Sequence, residues 1–156
     1  MNDIGVINLS RGKFTVVDAE VFCHLNKYHW QNLGGRTPYV YREIENRKKL
    51  LLHREICKAT GEQEVDHRNG FTFDNTSRNL RIATNKENAR NRRKIKGTVS
   101  RFKGVTWHRA NKLWTATIFL NGKNKTIGSF RDEESAARAY DEAVKRHFGE
   151  FAVLNF

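Results

Sequence analysis

Residues 65–91 read VDHRNGFTFDNTSRNLRIATNKENARN, and the organisation of the chain turns on this stretch. Glu64 to His67 is short, has Val65 as its one apolar residue, and predicts a strand. Residues 68–77 are rich in Asn, Gly, Asp, Thr and Ser, the composition of a loop. Leu80, Arg81, Ile82 and Ala83 alternate in polarity and predict a second strand. Thr84-Asn85-Lys86-Glu87 is a capping box, so a helix is expected to start at Thr84 and to carry Asn88 in its second turn. The expected order is strand, loop, strand, helix, with Asp66 and His67 on the first strand and Asn88 on the helix.

These side chains make a coherent chemical set. Asp66 and Asn88 offer oxygen ligands, which suit Mg²⁺ or Mn²⁺ rather than zinc. A site with only two protein ligands leaves room for water and phosphate oxygens. His67 neighbours Asp66 but points across the pleat from it, and an imidazole can take a proton from water near neutral pH. Asn79 can bond to the backbone or the ring at His67 and fix its orientation.

The frame VDHxNG…DN…NLR.AT..EN..N resembles the HNH nuclease family in its His-Asn-Asn variant, known from phage and intron homing endonucleases. The spacing matches: Asn79 follows Asp66 by thirteen positions (79 − 66), and Asn88 follows Asn79 by nine (88 − 79). The resemblance implies that His67 is the general base, that Asp66 and Asn88 hold one divalent ion, and that Asn79 is the middle Asn that steadies the site. The fold it implies is ββα-metal.

Composition agrees with a polyanionic partner. The chain has 156 residues, a formal net charge of +12 and a pI near 10.0. Its hydrophobic content of 38% and aromatic content of 11% are too high for a disordered chain. No long apolar run predicts a membrane helix, and the opening residues lack a signal-peptide plan. Cys23 and Cys57 lack zinc-site spacing and read as buried or half-buried thiols of a reducing compartment. The expected location is the cytoplasm, that of the bacterial host if the gene is a phage's.

Upstream, two strand-like runs (4–9 and 13–17) flank a turn at Ser10-Arg11-Gly12, and Asp18 is placed to cap a short helix. Gly34-Gly35 breaks the chain, Pro38 to Tyr41 looks extended, and residues 50–56 suit a strand or the start of a helix. The expectation is a small sheet supporting the nuclease hairpin. His53 reads as structural, or as a contact near the metal and phosphate. Tyr39, Tyr41, Arg42, Lys48 and Lys49 are candidates to track a DNA backbone.

Residues 91–101, NRRKIKGTVSR, hold five basic residues (Arg92, Arg93, Lys94, Lys96 and Arg101) and no acid. Such a link either lies along DNA and releases counterions or is a solvated spacer. Beyond it, three strand runs, an Asn121-Gly122 hairpin turn and a helix capped by Asp132 and ended by Gly149 predict a three-stranded antiparallel sheet backed by one helix. The segments RFKGV, LWTATI, IGSF, EESAARAYDEA and FAVLNF resemble the plant ethylene-response (Apetala-type) DNA-binding domain, as appended to phage HNH nucleases. That resemblance implies that the free sheet face enters the major groove. By alternation Thr115, Thr117 and Phe119 face outward and Ala116 and Ile118 inward. Lys103, Thr106, His108 and Arg109 are the expected contributions of the first strand, and Asn124 and Thr126 those of the third. Several plant Arg or Trp positions are Thr, Phe or Asn here, so plant base specificity does not carry over. Trp114 reads as core, and Trp107 as core or contact.

The expectation is therefore an α+β chain in three parts: a nuclease domain over 1–91 with its ββα-metal core at about 64–91, a basic linker over 92–101, and a DNA-binding domain over 102–156. The expected activity is metal-dependent, site-specific cleavage of double-stranded DNA, homing-type and nicking per active site, by a monomer with Mg²⁺ or Mn²⁺. No membrane and no small-molecule cofactor are expected. The alternative is a sequence-specific DNA-binding regulator with a vestigial nuclease core.

Overall fold

The computed structural model describes residues 3–35, 38–91 and 99–156. It is a mixed α and β structure built on small antiparallel sheets, in two compact units, Met1–Asn88 and Ala89–Phe156.

In the first unit, β1 (Ile4–Asn8) and β2 (Phe14–Asp18) pair antiparallel around the Ser10–Gly12 turn. Helix α1 (Ala19–Leu25) follows directly. A second sheet is formed by β3 (Gln31–Leu33), β4 (Tyr39–Glu43) and β5 (Lys49–Leu51), and runs without a break into α2 (Leu52–Ile56). Residues 50–56 are thus both strand and helix: the chain turns helical where Leu52 and His53 become buried. Ile7, Leu9, Val17, Leu25, Trp30, Val40 and Leu52 form one apolar core. The fully buried Trp30 satisfies its indole N–H on the Leu25 carbonyl at 2.8 Å.

The expected strand, loop, strand, helix follows as β6 (Glu64–His67), β7 (Leu80–Ala83) and α3 (Asn85–Arg90). The capping box forms in both directions: the Glu87 backbone N–H donates to the Thr84 hydroxyl at 3.3 Å, and the Thr84 backbone N–H donates to the Glu87 carboxylate at 2.8 Å.

Support for the β6–β7 hairpin differs from the single small sheet expected. It comes from β2, which is stitched to the connecting loop. Val16 N–H donates to the Phe73 carbonyl at 3.0 Å, and Asn75 N–H to the Val16 carbonyl at 2.9 Å. Asp18 occupies the N-cap position of α1 without capping it; its carboxylate accepts from the Ser77 backbone N–H at 2.7 Å. The loop gains an anchor at the expense of the cap. Cys23 is exposed, against the burial expected, and Cys57 is half-buried.

The second unit holds β8 (Val105–His108), β9 (Leu113–Leu120), β10 (Lys123–Phe130) and α4 (Glu133–Phe148), with sheet order β10-β9-β8. Asn121 and Gly122 both take positive φ (51° and 79°), as a two-residue hairpin turn with the sheet's twist demands. Asp132 caps α4 through the Ser135 backbone N–H at 2.7 Å, and that bond holds its carboxyl below the usual range. Ala136, Ala137, Tyr140 and Val144 of α4 join Val105, Ala116 and Ile118 of the sheet in one core. Gly104, at φ 73°, lies so close to the Tyr140 ring that any side chain there would collide with it. A bulge between Thr126 and Gly128 interrupts the β9–β10 register.

Buried Asp141 closes the C-terminus onto this core. Its carboxylate accepts the backbone N–H groups of Asn155 and Phe156 and the Asn155 side-chain amide. Asn155 in turn brackets the backbone of Lys103, accepting its N–H at 2.7 Å and donating to its carbonyl at 3.2 Å. The last residues therefore fix the chain that enters β8.

Among the described residues, no helix is long and apolar enough to cross a membrane.

Candidate active site and nucleic-acid interface

Pairing of β6 with β7 sets Asp66 directly opposite Arg81, and His67 opposite Leu80. Directly paired residues share a face, so Asp66 meets the guanidinium while His67 turns to the other side. Arg81 donates through Nε at 2.8 Å and Nη2 at 2.6 Å, both to Asp66 Oδ2. Both side chains are buried. This charge-assisted pair was not foreseen, although the strand limits read from the sequence contain both partners.

His67 is buried and its Nε2 lies 3.3 Å from Asn75 Oδ1. The orientation of the Asn75 amide is fixed by its other end. Its Nδ2 donates to the Thr15 hydroxyl at 2.8 Å and to the Thr72 carbonyl at 3.1 Å, and the Thr15 hydroxyl donates to the Phe73 carbonyl at 2.7 Å. Asn75 therefore presents its amide oxygen to Nε2 of His67 and holds the ring from that side.

Burial lowers the His67 pKa, and the Asn75 bond with the nearby Asp66 and Asp74 carboxylates only partly opposes it. The ring is neutral at neutral pH. His53 packs against it edge to face, with centroids 5.2 Å apart and an interplanar angle of 77°. Burial, then the neighbouring His67 and Arg54, drive the His53 pKa down to about 3. Tyr39 closes the group at 5.1 Å from His53 and 6.2 Å from His67. Tyr39 is thus a wall of the imidazole pair, where the sequence offered it as a backbone contact for DNA.

Asn79 is buried, and its side chain ties the loop to itself. Its Oδ1 accepts from the Asn69 backbone N–H at 3.0 Å, and its Nδ2 donates to the Asp74 carbonyl at 2.6 Å. These bonds go to the loop rather than to the His67 ring, which Asn75 engages instead. Asn88 sits in the second turn of α3, half-buried, and its carboxamide makes no hydrogen bond among the described residues. No three His, Cys, Asp or Glu side chains gather as a metal cage among the described residues.

Sequence reading missed Asn75, Arg81 and the contact of His53 with His67. An Asn in a polar loop carries no signal of its own, because turn chemistry accounts for it. Arg81 was recoverable from the strand register; the imidazole contact depends on how β4 and α2 pack.

Of the residues expected at DNA, Arg92, Arg93, Lys94 and Lys96 lie outside the described residues. Arg42 is engaged internally, bridging Glu55 through two hydrogen bonds of 3.2 Å and lying over the Tyr28 ring at 4.1 Å. The Lys49 ammonium lies over the Tyr41 ring at 4.9 Å. Lys103 is half-buried, and its ammonium donates to the Arg90 carbonyl at 2.7 Å. Thr106, His108, Arg109, Asn124 and Thr126 are exposed. On β9, Thr115 and Thr117 are half-buried and Phe119 is exposed, while Ala116 and Ile118 are buried, the alternation expected. Trp114 packs on the core, and Trp107, its direct cross-strand partner, rests on it at 5.0 Å.

No family model matches the chain. It is 31% identical over 156 residues to an uncharacterised HNH endonuclease of Acanthamoeba polyphaga mimivirus, which takes in 96% of this chain and 79% of that one. It is 32% identical over 88 residues to protein 3.8 of Escherichia phage T7, 56% of this chain and 72% of that protein. An AP2/ERF and B3 domain-containing protein of Oryza sativa is 46% identical over 57 residues, 36% of this chain. An AP2/ERF and B3 domain-containing transcription repressor of Arabidopsis thaliana is 42% identical over the same length. This chain spans only 15% and 16% of those two plant proteins. The likeness to the viral protein extends over most of both chains, and the chain belongs to the HNH endonuclease family.

Proposed function

We propose that this protein is a divalent-metal-dependent, site-specific DNA endonuclease of the homing type, cutting one strand per active site. In this reading β6, β7 and α3 form a ββα-metal module, and the second unit, an Apetala-type domain, docks the chain on double-stranded DNA together with the basic residues 92–96. The protein acts as a monomer in the cytoplasm of the cell that holds the target.

The observation that carries the reading is the placing of His67 against Asn75. Asn75 holds the ring through Nε2, burial favours its neutral form, and the neutral imidazole is the base that takes a proton from the attacking water. Asn79 acts one step away, holding the shape of the loop that carries Asn75.

The residues fit a hard cation by the chemistry of their donors: one carboxylate and one carboxamide, the latter with no hydrogen bond of its own among the described residues. Asp66 and Asn88 are the residues that hold one Mg²⁺ or Mn²⁺. When bound, the ion stabilises negative charge on the phosphate and on the leaving oxygen. Arg81 keeps the Asp66 carboxylate oriented inside the fold through its two hydrogen bonds.

A second reading rests on that same ion pair. Arg81 already neutralises Asp66, as it would in a DNA-binding regulator whose nuclease core is vestigial. A supercoiled-plasmid assay with Mg²⁺ or Mn²⁺ separates the two. The nuclease reading expects nicked circles, lost in His67→Ala and in Asp66→Ala. Nicking that survives both substitutions refutes the assignment, and tight binding with no cleavage under either metal supports the regulator.

A further inference from the structure

The outer face of the second unit's sheet has a composition that the DNA-binding reading leaves unexplained. Register fixes its membership, because directly paired residues share a face. Thr106, Thr115 and Ser129 form one row, Thr117 and Thr126 the next, and Phe119 with Asn124 the third; beyond these three rows His108 pairs with Leu113 at the other end of the same face. The opposite face is settled by Ala116 and Ile118, buried to 0% and 4% exposure, against 63% for Phe119.

The three rows contain five hydroxyls, one benzyl and one carboxamide, and no guanidinium or ammonium. At base edges this matters. Guanine O6 and N7 are read chiefly by Arg or Lys, adenine N6 and N7 by Asn or Gln, and the thymine methyl by apolar contact with Thr or Phe. Cations are present but sit off the rows: Arg109 and Lys112 are exposed at the β8–β9 turn, while Lys123 and Lys125 alternate with Asn124 and pair with Leu120 and Ile118 on the other face. Charges at the turn can hold phosphates while the methyl-rich field beside them meets the bases.

We propose that this face reads an A·T-rich site in the major groove, with Phe119 against a thymine methyl group and Asn124, its cross-strand partner, on adenine N6 and N7. Thr117 and Thr126, the next row, add methyl groups and hydroxyls to the same contact. The Thr115 and Ser129 hydroxyls lie 3.3 Å apart, and that hydrogen bond leaves their row less polar than its composition suggests. The proposal deepens the DNA-binding reading and rests on it.

The test uses the full chain carrying His67→Ala, in EDTA so that bound DNA is not cut. Duplexes are selected from a randomised pool, and the winners are remade with deoxyuridine in place of thymidine, which deletes only the methyl group. The selected sites are expected to be dominated by A·T pairs, and the uracil duplex to bind about fourfold more weakly, the worth of one buried methyl group. Phe119→Ala, at an exposed position, removes that sensitivity. Asn124→Ala relaxes the preference for adenine by about tenfold. Arg109→Ala and Lys112→Ala weaken every duplex alike and flatten the salt dependence without changing the selected sequence. A G·C-dominated site, or equal affinity for the thymine and uracil duplexes, overturns the proposal. Failure of the folded chain to select any sequence overturns the DNA-binding reading beneath it.

Discussion

Nε2 of His67 faces Oδ1 of Asn75 at 3.3 Å, and Asn75 cannot turn its amide over without breaking two hydrogen bonds on its other side. A loop residue eight positions away thereby holds the histidine ring through Nε2. The loop is itself held by β2, by Asp18 and by Asn79, so the setting of that ring is a property of the whole first unit.

Asn75→Ala is the direct probe. It deletes the amide oxygen that faces Nε2 and one of the influences holding the His67 pKa up. The nicking rate on its plateau is expected to fall by roughly tenfold, a part of the ~10²–10⁴-fold that a general base contributes, with little change in KM. The acid limb of the pH–rate profile should move to lower pH, because the remaining balance is tilted further towards the neutral ring. Partial unfolding lowers the plateau but leaves the limb in place, so the limb's position decides between the two.

His53 gives a pH dependence of stability with a definite sign. Its folded pKa of about 3 lies below the ordinary 6.5, so the unfolded chain binds the proton more tightly. Stability is full above pH 6.5 and is lost as pH falls from there towards 3, by up to about 1.4 kcal/mol per pH unit for each such group. His67, also lowered, adds in the same direction. Denaturant melts between pH 7 and pH 4 should show this loss, and His53→Gln should flatten it. An unchanged slope in that variant removes His53 as the cause.

Much of this was legible in the sequence, for reasons that can be stated. The β6 and β7 limits, the Thr84 capping box, the Asn121-Gly122 turn and the Asp132 cap each rest on local chemistry written within a few residues. Asn79 is expected from the sequence to bond at His67, whereas its side chain bonds Asn69 and Asp74, which are placed by a loop closure that local pattern does not encode. Asp18 shows the limit: an Asp before a helix has cap chemistry, but tertiary contact with Ser77 took its carboxylate. Tyr39 and Arg42 read as surface groups because aromatic and basic residues on a short strand carry no sign of what packs over them.

Arg81 and Asp66 offer a test of the metal site that does not depend on catalysis. Arg81→Leu leaves a buried carboxylate without its cation, which is expected to cost about 3–5 kcal/mol in metal-free buffer. The same change removes a competitor for that carboxylate. Mn²⁺ should therefore raise the melting temperature of Arg81→Leu more than that of the unaltered protein, since a ligand bound only by the folded state stabilises it by mass action. Adding Asp66→Asn to Arg81→Leu should abolish the extra rise. Equal Mn²⁺ effects in all three proteins exclude Asp66 as a ligand.

Asp141 and Asn155 govern the second unit in a way that the sequence concealed, since an Asp beside Tyr140 on an apolar helix face gives no hint of its partner. The buried carboxylate accepts two backbone N–H groups and a side-chain amide from the last two residues. Asn155 passes that constraint to both polar groups of the Lys103 backbone, two residues before β8. Asp141→Ala strands several buried donors at once and is expected to destabilise the unit by about 3 kcal/mol, while Asn155→Ala, which keeps the carboxylate and the backbone donors, should cost nearer 1–2 kcal/mol. Hydrogen exchange localises the effect: protection should fall first in β8 and at the start of β9, while β6 and β7 keep theirs. Because the sheet carries the proposed DNA contact, duplex binding should weaken in step with that protection. A variant that loses binding while β8 stays protected would assign Asp141 a direct role at the DNA, which its burial against the C-terminus argues against.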